Sequence, residues 1–398
     1  MNILFIATEN PFPPDHGHHI KTYNDLKGLA KNNTVYFVGF AKNQDELQFQ
    51  QSLESLCEGV DIFRLASGSG WRLYLDLFLN LFSFLPFVVQ RYYLSDARKR
   101  IKTLLRTVQI DLVHIDLLHV SRYQEDVGAI PKVLVNHNVE SVRLLRRIKT
   151  ERNLLAKLYF YLQYDKLKRY EKRICSKFNT CVAVSDVDKA YFASLTRDAD
   201  FVTIPNGVDI TFFKRNGVLP KPNTLVWVGS MSGAYNADAV DYFLDCILPL
   251  IASEIPRVKV TFVGSSPTRR LMQKSAHNKN LFVAGYVDDV RPYMEEAAVF
   301  IAPIRSGSGT KIKILNALAM EMPVVTTPVG AEGIEVVDEE SILIATDEHD
   351  FADKTIRLLK NPEHARKLGK AGRQVVKKCY DWNKIHKKTA ALHAQLVK

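Results

Sequence analysis

The sequence predicts an α/β protein made of two consecutive doubly wound domains, each a parallel sheet covered on both faces by helices. Short apolar runs such as Asn2–Thr8 and Thr34–Phe40 alternate with segments of helical periodicity such as Ile20–Lys31. A stretch rich in proline, asparagine and glycine, Pro205–Pro222, separates two series of such units in the 398-residue chain. At roughly 150 residues per domain, this length fits two domains.

The predicted strands are short segments in which β-branched and other apolar residues dominate. After the two runs above, the first series continues with Asp111–Ile115, Lys132–Asn136 and Thr180–Ser185. The second series comprises Thr224–Val228, Val258–Val263, Leu281–Ala284, Val299–Ala302, Pro323–Thr327 and Ser341–Ala345. We therefore expect a first domain over 1–205, a linker over 206–222, a second domain over 223–375 and a C-terminal helix over 376–398 that returns to the first domain.

Composition excludes several classes of protein. Hydrophobic residues make up 46% and charged residues 24% of the chain, which is ordinary globular usage and excludes collagen-like, disordered and disulfide-scaffold proteins. The five cysteines form no CxxC pair, so we expect neither a structural zinc site nor a disulfide framework, and we expect a reducing compartment. The N-terminus lacks the pattern of a signal peptide, and no apolar run is long enough to predict a transmembrane helix.

Basic side chains outnumber acidic ones by 54 to 43, and the excess concentrates in Ser141–Lys177 and Asp353–Lys398. Such clusters attract phosphate groups of nucleic acids, anionic lipids or sugar nucleotides, although they are also typical of solvated helix faces. Because no RNP, KH or zinc-finger pattern occurs, we expect no nucleic-acid partner.

Ligands of open parallel sheets bind beyond the carboxyl ends of the strands, and with two such domains the cleft between them is the expected active site. The loop Glu9–His19 follows the first strand, is stiffened by prolines, and contains Gly17, which permits close backbone approach. Asp15, His16 and Gly17 are predicted to face a ligand. The three histidines of this loop raise a metal hypothesis, but no partner spacing supports it, so no metal site is expected.

Two further loops follow predicted strands. His137 comes directly after Lys132–Asn136, where it could hydrogen-bond a substrate hydroxyl or phosphate. The alternative is a histidine that is satisfied by the local backbone. Gly229 ends the strand Thr224–Val228, and the polar loop after it resembles a phosphate-binding turn, although it lacks the complete GxGxxG pattern.

The most informative loop follows Val299–Ala302, where the glycine-rich segment Ser306–Gly309 leads into a helix. Exposed amides, the helix dipole and nearby cations converge where a diphosphate could bind, with Thr310 as the predicted N-cap. On the helix, Lys313 and Asn316 share a face, whereas Lys311 points elsewhere. The residues of this segment predicted to bind a diphosphate-containing ligand are Arg305, Gly307, Ser308, Gly309, Thr310, Lys311, Lys313 and Asn316.

The order of these motifs resembles that of the family 4 glycosyltransferases, which have the GT-B fold and are retaining and nucleotide-sugar dependent. The resemblance covers nearly the whole chain, and the segments that carry it include PFPPDHGHHIKTYNDLKGLA, VLVNHNVES, IPNGVDITFF and AGYVDDVRPYMEEAAVFIAPIRSGSGTKIKILNALAMEMPVVTTPVGAEGI. The last segment is similar to the nucleotide-sugar segment of a subgroup involved in bacterial surface polysaccharides.

The resemblance implies roles for single positions, with several departures. Of the two family glutamates near the glycine loop, the one that contacts the donor sugar falls on Ser308 and the one that holds the nucleotide ribose falls on Asn316. The glycine that ends the helix falls on Glu321. The family contacts the nucleotide base near Tyr286.

The family's Arg and Lys that grip the diphosphate fall on Ser230 and Asn236, which leaves Arg305, Lys311 and Lys313 to supply the charge.

The resemblance implies transfer of a hexose-type unit from a nucleoside diphosphate sugar to a glycan or lipid-linked acceptor, with His137 near the reacting sugar and with no metal or other cofactor. The alternative is a catalytically silent GT-B homologue that binds a nucleotide sugar or glycan as a partner subunit, and Asn316 is its best support.

The segment Trp71–Tyr93 is rich in leucine and phenylalanine and is interrupted by Pro86. It predicts either helices packed on the first sheet or an apolar surface near the acceptor site that touches lipid. Together with the basic run Arg143–Lys177, and because family members of this kind act on lipid-linked acceptors, it predicts a cytoplasmic protein attached peripherally to the inner face of the membrane.

Overall fold

The computed structural model of the protein describes residues 1–14, 17–42, 50–65, 70–151, 153–231, 233–307 and 309–397, without the side chains of Thr150 and Ala234. The chain divides into two compact units, one formed by Met1–Pro205 with Ile385–Lys398 and the other by Asn206–Lys384. The second unit therefore includes both the segment predicted as a linker and residues 376–384, which were expected to leave it. Val208 pairs with Asp381, and Tyr380 is buried in the core of this unit, which explains the difference.

A parallel sheet forms the centre of the first unit. In the described part of this unit the sheet has seven strands: β1 (Asn2–Ala7), β2 (Thr34–Ala41), β3 (Gly59–Arg64), β4 (Leu112–Asp116), β5 (Lys132–Asn136), β6 (Thr180–Ala183) and β7 (Phe201–Thr203). Their order is β3-β2-β1-β4-β5-β6-β7, and neighbouring strands are parallel. The sequence does not predict β3 or β7, because β3 is only partly buried and β7 has three residues.

Helices cover both faces of this sheet and bury its central strands. They are α1 (Gly17–Ala30), α2 (Gln51–Glu54), α3 (Trp71–Asn80), α4 (Phe87–Tyr92), α5 (Ser95–Thr107), α6 (Glu140–Thr150), α7 (Leu154–Cys175) and α8 (Asp186–Leu195), with a 3-10 segment at Leu118–Asp126. Strand residues such as Ile6, Val38, Ile115 and Leu134 are inaccessible to solvent and form one core with them. Burial on both faces explains why these strands read as continuous apolar runs.

The second unit repeats the architecture. Among its described residues are the strands β8 (Thr224–Val228), β9 (Lys259–Val263), β10 (Leu281–Gly285), β11 (Val299–Ala302), β12 (Val324–Thr326) and β13 (Leu343–Ile344). All neighbouring pairs in the order β10-β9-β8-β11-β12-β13 are parallel. The helices are α9 (Ala234–Tyr242), α10 (Leu248–Glu254), α11 (Arg269–Ala276), α12 (Arg291–Glu296), α13 (Ile312–Ala319), α14 (Pro328–Ala331), α15 (Glu348–Lys360), α16 (Pro362–Cys379) and α17 (Trp382–Leu396), with a π-helical turn at Phe243–Ile247; α17 continues into the first unit.

Both strand orders confirm the predicted doubly wound α/β class. In each sheet the order reverses direction once, between β1 and β4 in the first unit and between β8 and β11 in the second. Ligands of such sheets bind at the carboxyl ends of the strands that flank this switch point. The residues after β1, β4, β8 and β11 are therefore the first places to search for a site.

The segment Trp71–Tyr93 forms two helices, α3 and α4, with Pro86 directly before α4. Several large apolar side chains of α3 and of the loop after it are exposed. In the described part of the chain, no helix combines the length and the apolar character that crossing a bilayer requires.

Candidate functional site

A chain of hydrogen-bonded polar side chains lies at the switch point of the first unit. Asp116, the last residue of β4, accepts a hydrogen bond from His137 Nε2 through Oδ1 at 2.7 Å and one from the Thr22 hydroxyl through Oδ2 at 2.5 Å. His137 Nδ1 lies 3.0 Å from His18 Nδ1, and His18 Nε2 lies 2.9 Å from the Thr8 hydroxyl. We call these five side chains the histidine relay.

The topology explains why these residues meet although they are distant in the sequence. β4 lies between β1 and β5, so their carboxyl ends form one edge, which carries Thr8, Asp116 and His137. The helix α1 begins at Gly17, earlier than the predicted Ile20, so His18 lies in its first turn.

The electrostatics of the relay follow from burial and from the neighbouring rings. Burial alone would raise the pKa of Asp116, but the charge and hydrogen bond of His137 outweigh it and hold that pKa well below its usual range. Burial and the adjacent His137 lower the pKa of His18 to about 3. Asp116 is therefore an ionised hydrogen-bond acceptor, and His18 is neutral at physiological pH.

A second carboxylate lies beside the relay. Glu9 accepts hydrogen bonds from His19 Nε2 at 3.1 Å and from Lys42 Nζ at 2.5 Å. Burial opposes the ionisation of Glu9, but His19 and Lys42 hold its pKa well below its usual range. The contact between Glu9 and Lys42 joins the loop after β1 to the end of β2.

More polar groups are buried beneath the relay. Lys21 and Asp25 form an ion pair at 2.5 Å with both side chains almost inaccessible to solvent. His114 Nδ1 lies 3.4 Å from His393 Nε2 of α17. Burial, and to a lesser extent the proximity of His393, lowers the pKa of His114 well below its usual value. The His114–His393 contact joins α17 to the central strand β4, whereas the Lys21–Asp25 ion pair lies within α1.

The relay also has a spacing compatible with a metal ion, because ligand atoms of His18, Asp116 and His137 lie within 4.8 Å of one another. However, Asp116 contacts the Nε2 side of the His137 ring and His18 contacts its Nδ1 side. One ion could not bind all three side chains unless the ring turned and lost both hydrogen bonds. The geometry favours a hydrogen-bonded relay.

The switch point of the second unit carries the glycine loops that follow β8 and β9. Gly229 and Gly264 have φ values of 140° and 144°, a region that L-residues with side chains rarely adopt. A Cβ at Gly264 would collide with the carbonyl oxygen of Gly229, and a Cβ at Gly229 would lie 2.7 Å from Lys313 Nζ. The two loops therefore pack backbone against backbone, and they leave room for one ammonium group.

Lys313, in the first turn of α13, occupies that room. Its Nζ donates to Asn236 Oδ1 at 2.9 Å and lies 4.2 Å from the centre of the Trp227 ring. Asn236 in turn donates to the backbone oxygen of Ser230 at 2.6 Å. Burial, and to a lesser extent the proximity of Lys311, lowers the pKa of Lys313 to about 7. The group is poised to gain a proton when an anion arrives.

Arg305, after β11, contacts the same helix α9. Its guanidinium donates to Asp238 through Nε at 3.2 Å and through Nη2 at 2.6 Å, and it lies 4.1 Å from the centre of the Tyr242 ring. Asp238 and Asn236 are both in α9, so Arg305 and Lys313 address neighbouring turns of one helix. The arrangement has the cations, the amides and the helix N-terminus of a phosphate site.

Comparison with known proteins decides the family. The model described as Glycosyltransferase Family 4 matches residues 58–212, and the model described as Glycosyl transferases group 1 matches residues 222–361. The chain belongs to the family 4 glycosyltransferases. The resemblance stated from the motifs is thereby confirmed.

Solved structures confirm the GT-B fold of this glycosyltransferase. Sucrose-phosphate synthase from Thermosynechococcus elongatus is 18% identical, with a TM-score of 0.72 over 100% of this chain and 99% of that one. Anabaena HepE in complex with UDP and glucose is 15% identical, with a TM-score of 0.68 over 100% of both chains.

A relative of full length is also known. It is described as an uncharacterized 44.6 kDa protein in the cps region of Klebsiella pneumoniae and is 22% identical over 395 residues, or 96% of this chain and 97% of the relative.

The structure brings most of the predicted donor residues together, in an arrangement that differs from the prediction at the start of α13. Lys311, not Thr310, is the N-cap position, and α13 begins at Ile312. Lys311 therefore precedes the helix, and its charge contributes to the lowered pKa of Lys313 although the two ammonium groups have different hydrogen-bond partners. Its Nζ donates to the Gly309 carbonyl oxygen at 2.6 Å, while the Thr310 hydroxyl lies 3.5 Å from the Gly333 carbonyl oxygen.

The remaining predicted site residues lie on the helix α13, after β10 and in the loop after β11, or outside the described residues. Asn316 is half-buried on the helical face of α13 that also carries Lys313. Tyr286 follows β10 and is exposed. Gly307 belongs to the loop after β11 and has a φ of 118°. Three predicted site residues, Asp15, His16 and Ser308, lie outside the described residues.

The sequence did not single out Asp116, Thr22 or Gly264. Asp116 directly follows the predicted strand Asp111–Ile115, at the edge where ligands bind, and this position was a usable signal. Thr22 and Gly264 become functional candidates only through contacts that are remote in the sequence, with β4 and with the loop after β8.

Proposed function

We propose that this glycosyltransferase is a retaining enzyme that moves a hexose-type unit from a nucleoside diphosphate sugar to a glycan or lipid-linked acceptor in bacterial surface polysaccharide synthesis. The observation that carries the donor assignment is the Lys313 ammonium, which lies against Gly229 at the switch point where a diphosphate would sit. HepE is seen with UDP and glucose, and the Klebsiella relative lies in a cps region, which supports the donor class and the polysaccharide role.

In the proposed reaction the diphosphate leaves and its growing negative charge must be stabilised. Lys313 would gain its proton and form a charge-assisted hydrogen bond, and Arg305 would exchange part of its contact with Asp238 for the phosphate. The residues described above offer enough cationic charge that we expect the reaction to require no metal. We assign His137 to the reacting sugar, by family resemblance and by its place after β5.

The second candidate is a silent homologue that binds the nucleotide sugar without turnover, and Asn316 favours it. An amide at this position can hydrogen-bond a ribose, but it lacks the charge that makes such bonds strong. Calorimetric titration with UDP-, GDP-, ADP- and dTDP-sugars, followed by an assay for released nucleoside diphosphate, separates the two. Binding with release supports the enzyme, whereas binding without release to water or any acceptor supports the silent homologue.

We further propose that the first unit binds the inner face of an anionic membrane through a surface formed by α3 and the N-terminal half of α7. Asn80 at the end of α3 accepts a hydrogen bond from Gln163 Nε2 at 2.8 Å, and its carbonyl accepts one from Lys166 at 2.6 Å, so the two helices are joined. Exposed apolar side chains of this surface are Trp71, Tyr74, Phe78, Phe82, Phe84, Leu154, Leu155 and Leu158.

The charge beside this surface argues for lipid. α6 packs against α7 and carries Arg146, Arg147 and Lys149, with the Arg147 guanidinium 4.5 Å from the Phe160 ring centre. Each cation near an anionic leaflet contributes about 1 kcal/mol, and aromatic side chains favour the interface.

Flotation with vesicles of phosphatidylglycerol and phosphatidylcholine tests this membrane proposal. Binding should fall as salt rises, and should weaken both when Arg146, Arg147 and Lys149 become Gln and in Phe78→Ser with Phe82→Ser. Leu219→Ser, at an 86% exposed leucine of the second unit, is the matched control that should change nothing. Absence of binding at low salt would overturn peripheral attachment and leave a soluble acceptor as the expectation.

A further inference from the structure

The relay in the first unit has a direction that the hydrogen-bonding rules determine. An ionised carboxylate only accepts hydrogen bonds, so the Asp116 contact at 2.7 Å requires that His137 Nε2 carries a proton. This holds whether His137 is neutral or positively charged. Proton exchange on His137 must then take place at its other nitrogen, Nδ1, which faces His18 Nδ1 at 3.0 Å.

His18 can follow such an exchange by changing tautomer. When His137 is neutral, its Nδ1 accepts and His18 donates from Nδ1, which leaves His18 Nε2 to accept from the Thr8 hydroxyl. When His137 is charged, its Nδ1 donates, and His18 carries its single proton on Nε2 and donates to Thr8. When His137 gains a proton at Nδ1, it takes the Nδ1 proton of His18, and His18 takes up one proton at Nε2 from the side of the Thr8 hydroxyl. The reverse shift returns that proton to the Thr8 side, so His18 stays neutral in both states.

We propose that Asp116 is a positioning residue that keeps His137 Nε2 protonated and thereby directs proton exchange between His137 and His18 through their Nδ1 atoms. Thr22 assists by donating to the second oxygen of Asp116 at 2.5 Å, which holds the carboxylate plane. The proposal rests on the assignment of His137 to the reacting sugar only for its catalytic consequence. The proton arrangement itself can be measured without substrate.

Other titratable groups surround the relay. His18 is also close to Glu9 and His19, and Asp116 is close to His114. Glu9 is held by His19 and Lys42, and Lys21 is paired with Asp25. His114 Nδ1 lies 3.4 Å from His393 Nε2, and polar atoms of His114, Asp25 and Asp116 lie within 4.8 Å of one another, so Asp116 also faces these two buried groups.

The test is a long-range ¹H–¹⁵N spectrum of the ring nitrogens in the uniformly labelled full chain, assigned with His18→Gln and His137→Gln. In the wild-type protein, His137 Nε2 should carry a proton. His18 should carry its single proton on Nδ1 when His137 Nδ1 is unprotonated, and on Nε2 when His137 Nδ1 is protonated. Two results in the wild-type spectrum would each overturn the proposal. One is a neutral His137 that carries its proton on Nδ1, and the other is a His18 tautomer that does not change with the protonation state of His137.

Asp116→Asn provides the second arm. The Asn side chain can accept from or donate to Nε2, so His137 should become a mixture of tautomers and the coupled change of His18 should disappear. Asp126→Asn is the control, because this carboxylate is also in the first unit and bonded to Arg98 at 2.8 Å, yet lies outside the relay. It should lower thermal stability and leave the His137 signals unchanged.

If turnover is established, Asp116→Asn should lower kcat by about 100-fold with little change in the donor KM, because His137 would lose the orientation that places it near the reacting sugar. Retention of the native tautomer and pH course in Asp116→Asn would refute the positioning role even if the enzyme proved active. Failure to find any donor would contradict the proposed function and leave the relay intact.

Discussion

Lys313 predicts that binding of a nucleoside diphosphate takes up a proton. In the free protein, burial and the proximity of Lys311 lower the pKa of Lys313 to about 7, so about half of the molecules are uncharged at pH 7. A diphosphate next to Nζ favours the ammonium and restores a pKa near or above the ordinary value of 10.5. The bound state is therefore protonated across the range in which the free state loses its charge.

The size of the effect follows from the fraction of Lys313 that must be protonated on binding. At pH 8 that fraction is ~0.9, so binding should take up ~0.9 proton, and between pH 7 and pH 9 the affinity should fall ~50-fold. The terminal phosphate of UDP has its own pKa near 6 and is fully ionised in this range. The stability of the ligand-free protein should depend on pH in the opposite direction to the affinity. The unfolded chain binds the proton that the native state lacks, so stability should rise between pH 7 and about 10.5.

Isothermal titration with UDP in buffers of different ionisation enthalpy measures the proton uptake directly. Lys313→Arg keeps a charge that does not titrate and should abolish both the uptake and the pH dependence, while Lys313→Met should bind weakly at all pH values. Lys311→Gln should raise the pKa of Lys313 slightly and shift the fall in affinity to higher pH. Equal affinity at pH 7 and pH 9 in the wild-type protein, or the same uptake in Lys313→Arg, would refute the reasoning.

Three further variants test other parts of the site. His137→Ala should lower kcat by about 100-fold or more and barely change the donor KM, and steady-state kinetics with equal activity would return His137 to a structural role. Arg305→Ala should weaken UDP binding less than Lys313→Met does. Asp238→Asn should strengthen UDP binding, because the Asp238 carboxylate already holds the Arg305 guanidinium. Calorimetric titrations in which Arg305→Ala costs more affinity than Lys313→Met, or in which Asp238→Asn weakens binding, would reject the assignment of Arg305. Glu321 has a φ of 55° at the end of α13, so Glu321→Gly should raise the free energy of unfolding by about 1 kcal/mol in urea titrations, and a destabilised variant would show that its contact with Arg373 outweighs the strain.

The central strands of both sheets could be predicted because burial on both faces makes them continuous apolar runs. β1, β2, β8 and β11 are examples, and their loops led directly to Gly229 and to the segment around Arg305. Edge strands carry less signal. β3 is only partly buried and β7 is very short, so neither shows the apolar run on which the prediction depends.

The site itself was predictable only where its residues lie in one loop. The predicted role of Lys313 depended on a helix face that the structure reproduces, whereas the predicted N-cap, Thr310, was wrong by one residue because α13 begins after Lys311. The histidine relay could not be predicted from the residues of a single loop. It joins α1, β4 and the loop after β5, and only the strand order brings Asp116, His18 and His137 within hydrogen-bonding distance.

The most direct test of the proposed function is product analysis by mass spectrometry. The protein is incubated with each nucleotide sugar that stabilises it against heat, together with either a soluble glycan mixture or a bacterial lipid extract. We expect one nucleotide sugar to be consumed, with release of the nucleoside diphosphate and a gain of one hexose mass on an acceptor, and we expect Lys313→Met to abolish both. Stabilisation by a nucleotide sugar without consumption in the presence of either acceptor source would contradict the proposed transfer and support the silent homologue.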